Sequence, residues 1–394
     1  MAMTPTRKDG GERDLLGDIK VLDFSFVMAG PYCTRLLADL GADVIKVETA
    51  EGDQMRFRPP LRDGASAYFA HLNCGKRSIV LDLKSVKGRK IAQRLASQVD
   101  VVVENFRPGV MRRLGLSYET LAALNPALVY CSVSGFGQTG PLAKHPAYAP
   151  VIHAASGFDR ANQLYQDEPD RPLNCGIFVA DILGGIYAFA AIQSALLQRT
   201  RSGAGQYIDV SMMDAMLGML VYEVQEAQFP IAKRRFLFTP CRAADGFVMI
   251  APTSERNFHQ LCDALGHAEW KEDPRFFRQR VREQNWAVLM ELVEAWTRER
   301  SAADCEAALL GHGVPCSRYN TVRELMDHPH FAQRSTFQRV HDDGGPLLVT
   351  NPPFRFSDGL AFARGKAPQL GEDTAVVLKS MLGVEEAEVT APQG

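Results

Sequence analysis

Short apolar runs and amphipathic stretches alternate along the first half of the chain. Residues 19–24 (IKVLDF) form a β-rich run, and Gly30-Pro31 then opens the helical stretch PYCTRLLADLGA, in which proline suits the first turn and Gly41 the end. Residues 43–48 (DVIKVE) read as the next strand. The theme returns with a strand over 78–83, a helix begun by Ser85, the strongly apolar strand 99–103 and another over 127–134. Strand and helix in alternation predict an α/β unit, Rossmann-like, with a mainly parallel sheet covered on both faces.

An apolar helix is predicted from Asp181 to Arg199, closed by the polar turn 200–205. A strand over 206–210 and a helix from Met212 to about Glu226 follow. Residues 229–245, with two prolines and Lys233-Arg234-Arg235, read as a connector. Beyond it come a strand at 246–251 and helical patterns at 255–265, 283–297 and 302–310, an α+β mixture. The tail holds prolines, a Gly-Gly turn and a strand near 346–350. This divides the chain into a polar arm (1–14), a large α/β domain (15–224), a small α+β domain (225–325) and a C-terminal segment (326–394).

Composition narrows the classes. With 394 residues and 46% hydrophobic content the chain can bury a large core, on the usual scaling about two domains. The formal charge of −2 argues against a broad polyanion-binding surface and hence against nucleic acid. The longest apolar stretch, Ile182 to Leu197, contains Gln193 and is short for a membrane span, and the first fourteen residues lack an apolar signal core. The eight scattered cysteines form no CxxC pair and suit reduced thiols. A cytoplasmic protein is expected, with no membrane partner.

Three segments carry candidate chemistry. At Ala29-Gly30-Pro31 a helix starts directly after a strand, where free N–H groups favour a phosphate or carboxylate; an ordinary βα turn reads the same way. The dinucleotide fingerprint GxGxxG is absent. Residues 73–84 (NCGKRSIVLDLK) and 104–113 (ENFRPGVMRR) place cations and an aromatic expected to be exposed, Phe106, at strand ends, which suits a phosphorylated purine or a solvated basic rim. Asp181 stands before an apolar helix, as an N-cap would, yet a carboxylate among apolar residues and glycines also suits a nucleophile. The helix dipole is expected to keep it ionised. His328 and His330 lack further ligands for a metal, so none is assigned; His153, Cys175 and Ser132 form no nucleophile elbow.

Taken together, these segments resemble the class III CoA-transferase family, CaiB/BaiF type, which includes the α-methylacyl-CoA racemases. The resemblance rests on residues 21–48, 73–84, 101–116 and 181–215, and continues at 245–266, 313–331 and 367–374. It implies a CoA-binding large domain to which the tail returns, and open-ring subunits interlocked as a homodimer. CoA and its thioesters are implied as substrates, with a small carboxylic acid, and no tightly bound cofactor.

Residue by residue, Asp181 falls on the family's catalytic aspartate. Asn105 and Phe106 match the pair at the CoA adenine. Leu81, Lys84, Arg107, Arg113, His145 and Tyr148 fall on or beside CoA-contacting positions, and Met28 and Ala29 on the turn facing the thioester. Met28 and Thr49 depart from the formyl-CoA:oxalate branch, so oxalate is not the expected acceptor. Racemases place a histidine where Tyr148 stands; a phenol titrates near 10 and matches a neutral-pH base poorly. A transferase working through aspartyl anhydride and aspartyl-CoA thioester intermediates is therefore expected. An α-methylacyl-CoA racemase or a non-catalytic acyl-CoA-binding protein are the alternatives. Arg234 and Arg235 are candidates for the distal carboxylate of a dicarboxylic acceptor, against a solvated linker patch. Asp373 stands where relatives often carry histidine.

Overall fold

The computed structural model describes residues 14–165, 172, 174–231 and 238–384. The arm up to residue 13 and the Lys233-Arg234-Arg235 cluster, with both candidate acceptor arginines, lie outside the described residues. The chain divides into two compact units, residues 1–228 with 330–394 and residues 229–329, against expected domain ends at 224 and 325.

The first unit is built on a six-stranded sheet of β1 (Lys20–Asp23), β2 (Asp43–Glu48), β3 (Arg77–Val80), β4 (Val101–Glu104), β5 (Val129–Ser134) and β6 (Gln206–Ser211). Every pairing is parallel, in the order β3-β2-β1-β4-β5-β6, so the strand order reverses between β1 and β4. The inner strands are buried on both faces and rich in Val, Ile and Leu, with charged or polar residues concentrated towards their ends. Val21, Val44 and Val101 pack on one side with Leu37, Ala188 and Ile192. Their neighbours Leu22, Ile45 and Val102 pack on the other with Ile91 and Leu95. Its helices include α1 (Ala29–Asp39), α2 (Ala67–Asn73), α3 (Val86–Ala96), α4 (Ala149–Ala155), α5 (Val179–Ser202), α6 (Met212–Met219) and α7 (Val221–Gln228).

Two helices differ from expectation. The single helix expected from Met212 breaks at Leu220, whose backbone turns out of the helical region (φ −81°, ψ 48°). Helix α5 begins two residues before Asp181 and spans 24 residues, enough by length and composition to cross a membrane. Here its Ala188, Ile192 and Ala195 are buried in the core instead.

The second unit has its own core. Strands β7 (Cys241–Arg242), β8 (Phe247–Ile250) and β9 (Cys316–Arg318) pair antiparallel around β8. Helices α8 (Glu255–Leu265), α9 (Trp286–Arg298) and α10 (Ala302–Gly311) bury Phe258, Leu289 and Cys305 with Val248 and Ile250.

The tail belongs to the first unit. A hairpin of β10 (Phe337–Asp342) and β11 (Gly345–Thr350) leads to α11 (Thr374–Leu382), which buries Val377 and Leu378 against the β1–β2–β3 side of the sheet. At its start the Asp373 carboxylate accepts the Ser78 N–H at 2.9 Å, and Thr374 Oγ1 accepts the Val80 N–H at 3.1 Å. Strand β3 is an edge strand, and these side chains satisfy the N–H groups that its missing neighbour would take. Asp373, unexplained by the sequence, thus ties the tail to the sheet. All eight cysteines are free thiols.

Candidate active site

In a parallel sheet, ligands settle beyond the carboxyl ends of the strands where the strand order reverses. Here that point lies between β1 and β4, and the turn leaving β1 is fastened to the residue leaving β4. Asn105 Oδ1 accepts the Phe26 N–H at 2.9 Å, and Asn105 Nδ2 donates to the Phe26 carbonyl at 2.8 Å. Below the turn lies a buried polar cluster. Asp23 accepts from the Ser25 N–H (2.9 Å), the Thr34 hydroxyl (2.6 Å) and Lys76 Nζ (3.1 Å). Burial alone would raise the Asp23 carboxyl, but Lys76, Lys46 and these hydroxyls outweigh it and hold it below the usual range. Gly30 is required by the tightness of the turn, since a Cβ there would stand 2.2 Å from Ser25 Cβ.

Asp181 sits in the first turn of α5, whose N-cap is Phe178, so it is not the N-cap that its sequence context suggests. The capping task falls to His153, whose Nε2 accepts the Ala180 N–H at 3.1 Å. The Asp181 carboxylate is left without a hydrogen bond or ion pair among the described residues, and burial pushes its pKa up to about 6. Desolvation is the cause of this rise, since burial disfavours the charged form. At pH 7 such a group is still roughly nine-tenths ionised. An ionised carboxylate with no partner is a free nucleophile.

Glycines at 184 and 185, one turn further along α5, let α1 pack directly against it. A Cβ on Gly185 would meet the Ala29 carbonyl oxygen at 2.7 Å, and one on Gly184 would meet Met212 Cγ at 3.0 Å. The result is a cleft of about 100 Å³ in which Asp181 faces Ala29, Asn105, Arg107 and Tyr148. A larger cavity of about 680 Å³, rimmed by Arg107, Arg112 and Lys144 and walled by Tyr118 and Tyr207, shares Arg107 with the cleft. Its floor holds Glu104, whose carboxyl burial raises to about 7.

Five of the residues singled out in the sequence therefore line one cleft: Ala29, Asn105, Arg107, Tyr148 and Asp181. Met28 is buried beside it, its sulfur accepting the Tyr68 hydroxyl at 3.7 Å. The other candidates among the described residues do not line it. The Leu81 side chain belongs to the core, so only its backbone can offer contacts. Phe106 is not exposed as expected but half-buried, its ring 5.3 Å from that of Phe26. Lys84, Arg113 and His145 are exposed, His145 edge-on to Phe136. Asn105 lines the cleft while each end of its amide makes one hydrogen bond to Phe26, which leaves one N–H and one lone pair for a ligand.

Sequence reasoning missed Tyr68, Ser134 and Met212. Tyr68 lies close enough for the Asp181 charge to act on it: burial raises its pKa first and Asp181 adds to the rise. Ser134 and Met212 line the cleft directly, and Ser134 Oγ is buried with no hydrogen-bond partner among the described residues. The stretch 135–141 (GFGQTGP), which reads either as a loop whose backbone could approach a ligand or as a plain turn cluster, adjoins Ser134; nothing in the sequence pointed to Tyr68 or Met212.

Known proteins carry the same organisation. A profile described as CoA-transferase family III matches residues 16–374. The succinate–glutarate CoA-transferase of Agrobacterium fabrum is 34% identical over 392 residues, covering 94% of this chain and 96% of that protein. The acetyl-CoA:oxalate CoA-transferase of Acetobacter aceti is 36% identical, covering 97% and 98%. The crystal structure of a CaiB/BaiF family protein from Brucella suis superposes with a TM-score of 0.81 at 35% identity, over 93% of this chain and 99% of that one.

Proposed function

The chain belongs to CoA-transferase family III and moves CoA from an acyl-CoA thioester to a carboxylic acid, and on that footing we propose that Asp181 is the nucleophile that carries the transfer. The observation behind this is the unpartnered carboxylate in the cleft at the β1/β4 reversal, beside the start of α1. Asp181 attacks the donor carbonyl and the C–S bond breaks, giving an acyl-aspartyl anhydride and CoA thiolate. The thiolate then attacks the aspartyl carbonyl, which releases the donor acid and leaves an aspartyl-CoA thioester. The acceptor carboxylate attacks that thioester to form a second anhydride. CoA thiolate returns to the acceptor's acyl carbon, and the Asp181 carboxylate is regenerated. Each step exchanges activated acyl groups of similar energy, so the cleft's main task is to exclude water and to stabilise each oxyanion. Backbone N–H groups at Met28, Ala29 and Gly30 suit the oxyanion role, since a helix start carries a partial positive charge.

The acceptor is a dicarboxylate in this reading. Relatives are named for glutarate and for oxalate, both dicarboxylic acids, and the oxalate-acting relative tempers the expectation, drawn from Met28 and Thr49, that oxalate is disfavoured. Arg107 is exposed at the mouth of the cleft and suits the distal carboxylate or the CoA phosphates. No histidine lines the cleft among the described residues, and His153 is engaged by the helix end, which favours transfer over racemisation. The exposed Ile186, Tyr187 and Leu197 on α5 and Val221 on α7 suit burial in the homodimer that the resemblance implies.

The test is CoA exchange followed by chromatography, with succinyl-CoA, a panel of mono- and dicarboxylates, and an Asp181→Ala control. New acyl-CoA that vanishes in the control supports the reading. Exchange that persists without Asp181 would overturn it.

A further inference from the structure

The turn that faces Asp181 contains a strained residue. Val27 has φ 67°, in the left-handed region that β-branched side chains avoid because Cβ crowds the backbone. Asp53 lies against it: the Val27 N–H points at both carboxylate oxygens, 3.4 Å from Oδ1 and 3.3 Å from Oδ2. Asp53 is itself pinned from other directions. Lys46 Nζ donates to its Oδ2 at 3.1 Å, Met55 N–H donates to Oδ1 at 3.0 Å, and the Asp53 N–H donates to Glu48 at 3.0 Å. The same Lys46 ammonium donates to the Ser25 carbonyl at 2.7 Å, on the other side of the strained residue. Lys46 stands in the middle of strand β2 with its side chain fully buried, and Asp53 is 4% exposed.

A charged pair this deep in a sheet is a weak source of net stability, because desolvation offsets its attraction. What the pair does hold is the backbone from Ser25 to Val27, and hence the direction in which α1 begins. The N–H groups of Met28, Ala29 and Gly30 donate to no acceptor among the described residues, and Ala29 shares the cleft with Asp181. We propose that the buried Lys46–Asp53 pair is a positioning device for catalysis: it locks Val27 in the left-handed conformation and so aims the Met28–Gly30 N–H groups at the carbonyl oxygen under attack by Asp181. Lys46 and Asp53 touch no substrate in this arrangement; they act through the turn. The inference rests on the oxyanion role assigned to that turn.

The test is a double-mutant cycle between Asp53→Asn and Val27→Gly, with Lys46→Met as an independent break of the same pair. Glycine takes a positive φ without strain, so it removes the need for the clamp. Asp53→Asn and Lys46→Met are expected to lower kcat by about 10- to 100-fold with KM for the acyl-CoA little changed, the size associated with a misaimed oxyanion donor. Adding Val27→Gly should restore at least about threefold of that kcat, whereas a merely structural role predicts that losing the valine side chain deepens the damage. Should Asp53→Asn fold poorly alone, recovery of soluble, active protein in the double variant is the supporting result. Additive losses in the cycle, failure of the double variant to recover, or single variants that lower only the melting temperature would overturn the proposal. The Asp181→Ala control separates the two readings: if exchange survives without Asp181, the nucleophile assignment fails whatever the cycle shows.

Discussion

Gly185 and Ala29 meet backbone to backbone: a Cβ on Gly185 would stand 2.7 Å from the Ala29 carbonyl oxygen and 3.2 Å from Tyr32 Cβ. The Ala29 carbonyl is helix backbone and cannot swing aside as a flexible side chain would. Helix α1 therefore lies as close to α5 as a glycine permits, and that separation sets how far the start of α1 stands from Asp181, one turn earlier on α5.

Gly185→Ala should accordingly move α1 outward despite alanine's better helix propensity. The expected result is a stability loss of about 1–3 kcal/mol, typical of overpacking, and a kcat loss of at least about tenfold. Gly184→Ala is the internal comparison, since its Cβ would meet side chains and no backbone: Met212 Cγ at 3.0 Å, with Val133 and Ala29 at ordinary contact distance. It should retain activity within a few-fold of the parent. Urea melts and steady-state rates on the pair check this; equal losses at both positions would show that helix spacing is not what matters.

In the proposed mechanism Asp181 attacks as a carboxylate, and burial raises its pKa to about 6. The rate of transfer from a saturating donor should therefore be flat above about pH 7 and fall tenfold per pH unit well below 6. A pre-steady-state burst of free CoA, followed from pH 5 to 8, isolates the step in which Asp181 acts. A profile flat down to pH 5 would contradict the raised pKa.

The same raised pKa predicts a stability cost with a definite sign. The folded protein binds the Asp181 proton more tightly than the unfolded chain, whose carboxylate titrates near 3.9. Wild type therefore loses stability relative to Asp181→Asn as pH rises from about 4 through about 6. The cost is then fully present at neutral pH, with an upper bound of about 3 kcal/mol. Chemical denaturation at pH 4 and pH 8 tests it. The two proteins should nearly coincide at pH 4, with the variant the more stable at pH 8.

Asp373 anchors the tail through the Ser78 N–H at 2.9 Å. Asp373→Ala should lower unfolding stability by about 1–2 kcal/mol, the range of a charge-assisted bond at a partly exposed strand edge. At a temperature where the variant is folded, kcat should be unchanged, because the contact lies at β3 and not at the cleft. A selective loss of kcat would give Asp373 a role beyond holding the sheet edge.

Much of this protein is legible without coordinates. The alternation of apolar strands with amphipathic helices determines a parallel sheet covered on both faces, because the period of each segment selects its local structure and the covering helices require apolar strands. Family motifs brought Asp181, Ala29, Asn105 and Tyr148 to notice as well. Other features are decided only in three dimensions. Asp181 reads as an N-cap until the helix is seen to begin at Val179 with His153 taking its free N–H. That Asn105 also fastens the β1 turn to the end of β4, through Phe26 across the reversal point, shows only in the folded chain. Lys46 is one of three charged residues on β2, 19 positions along the chain from Val27, and no spacing rule links them. Sequence determines which segments are helices and strands because those choices are made by neighbours a few residues apart. Which side chains are left without partners, and which are strained, depends on what the fold brings from elsewhere in the chain, and at this site that is the chemistry.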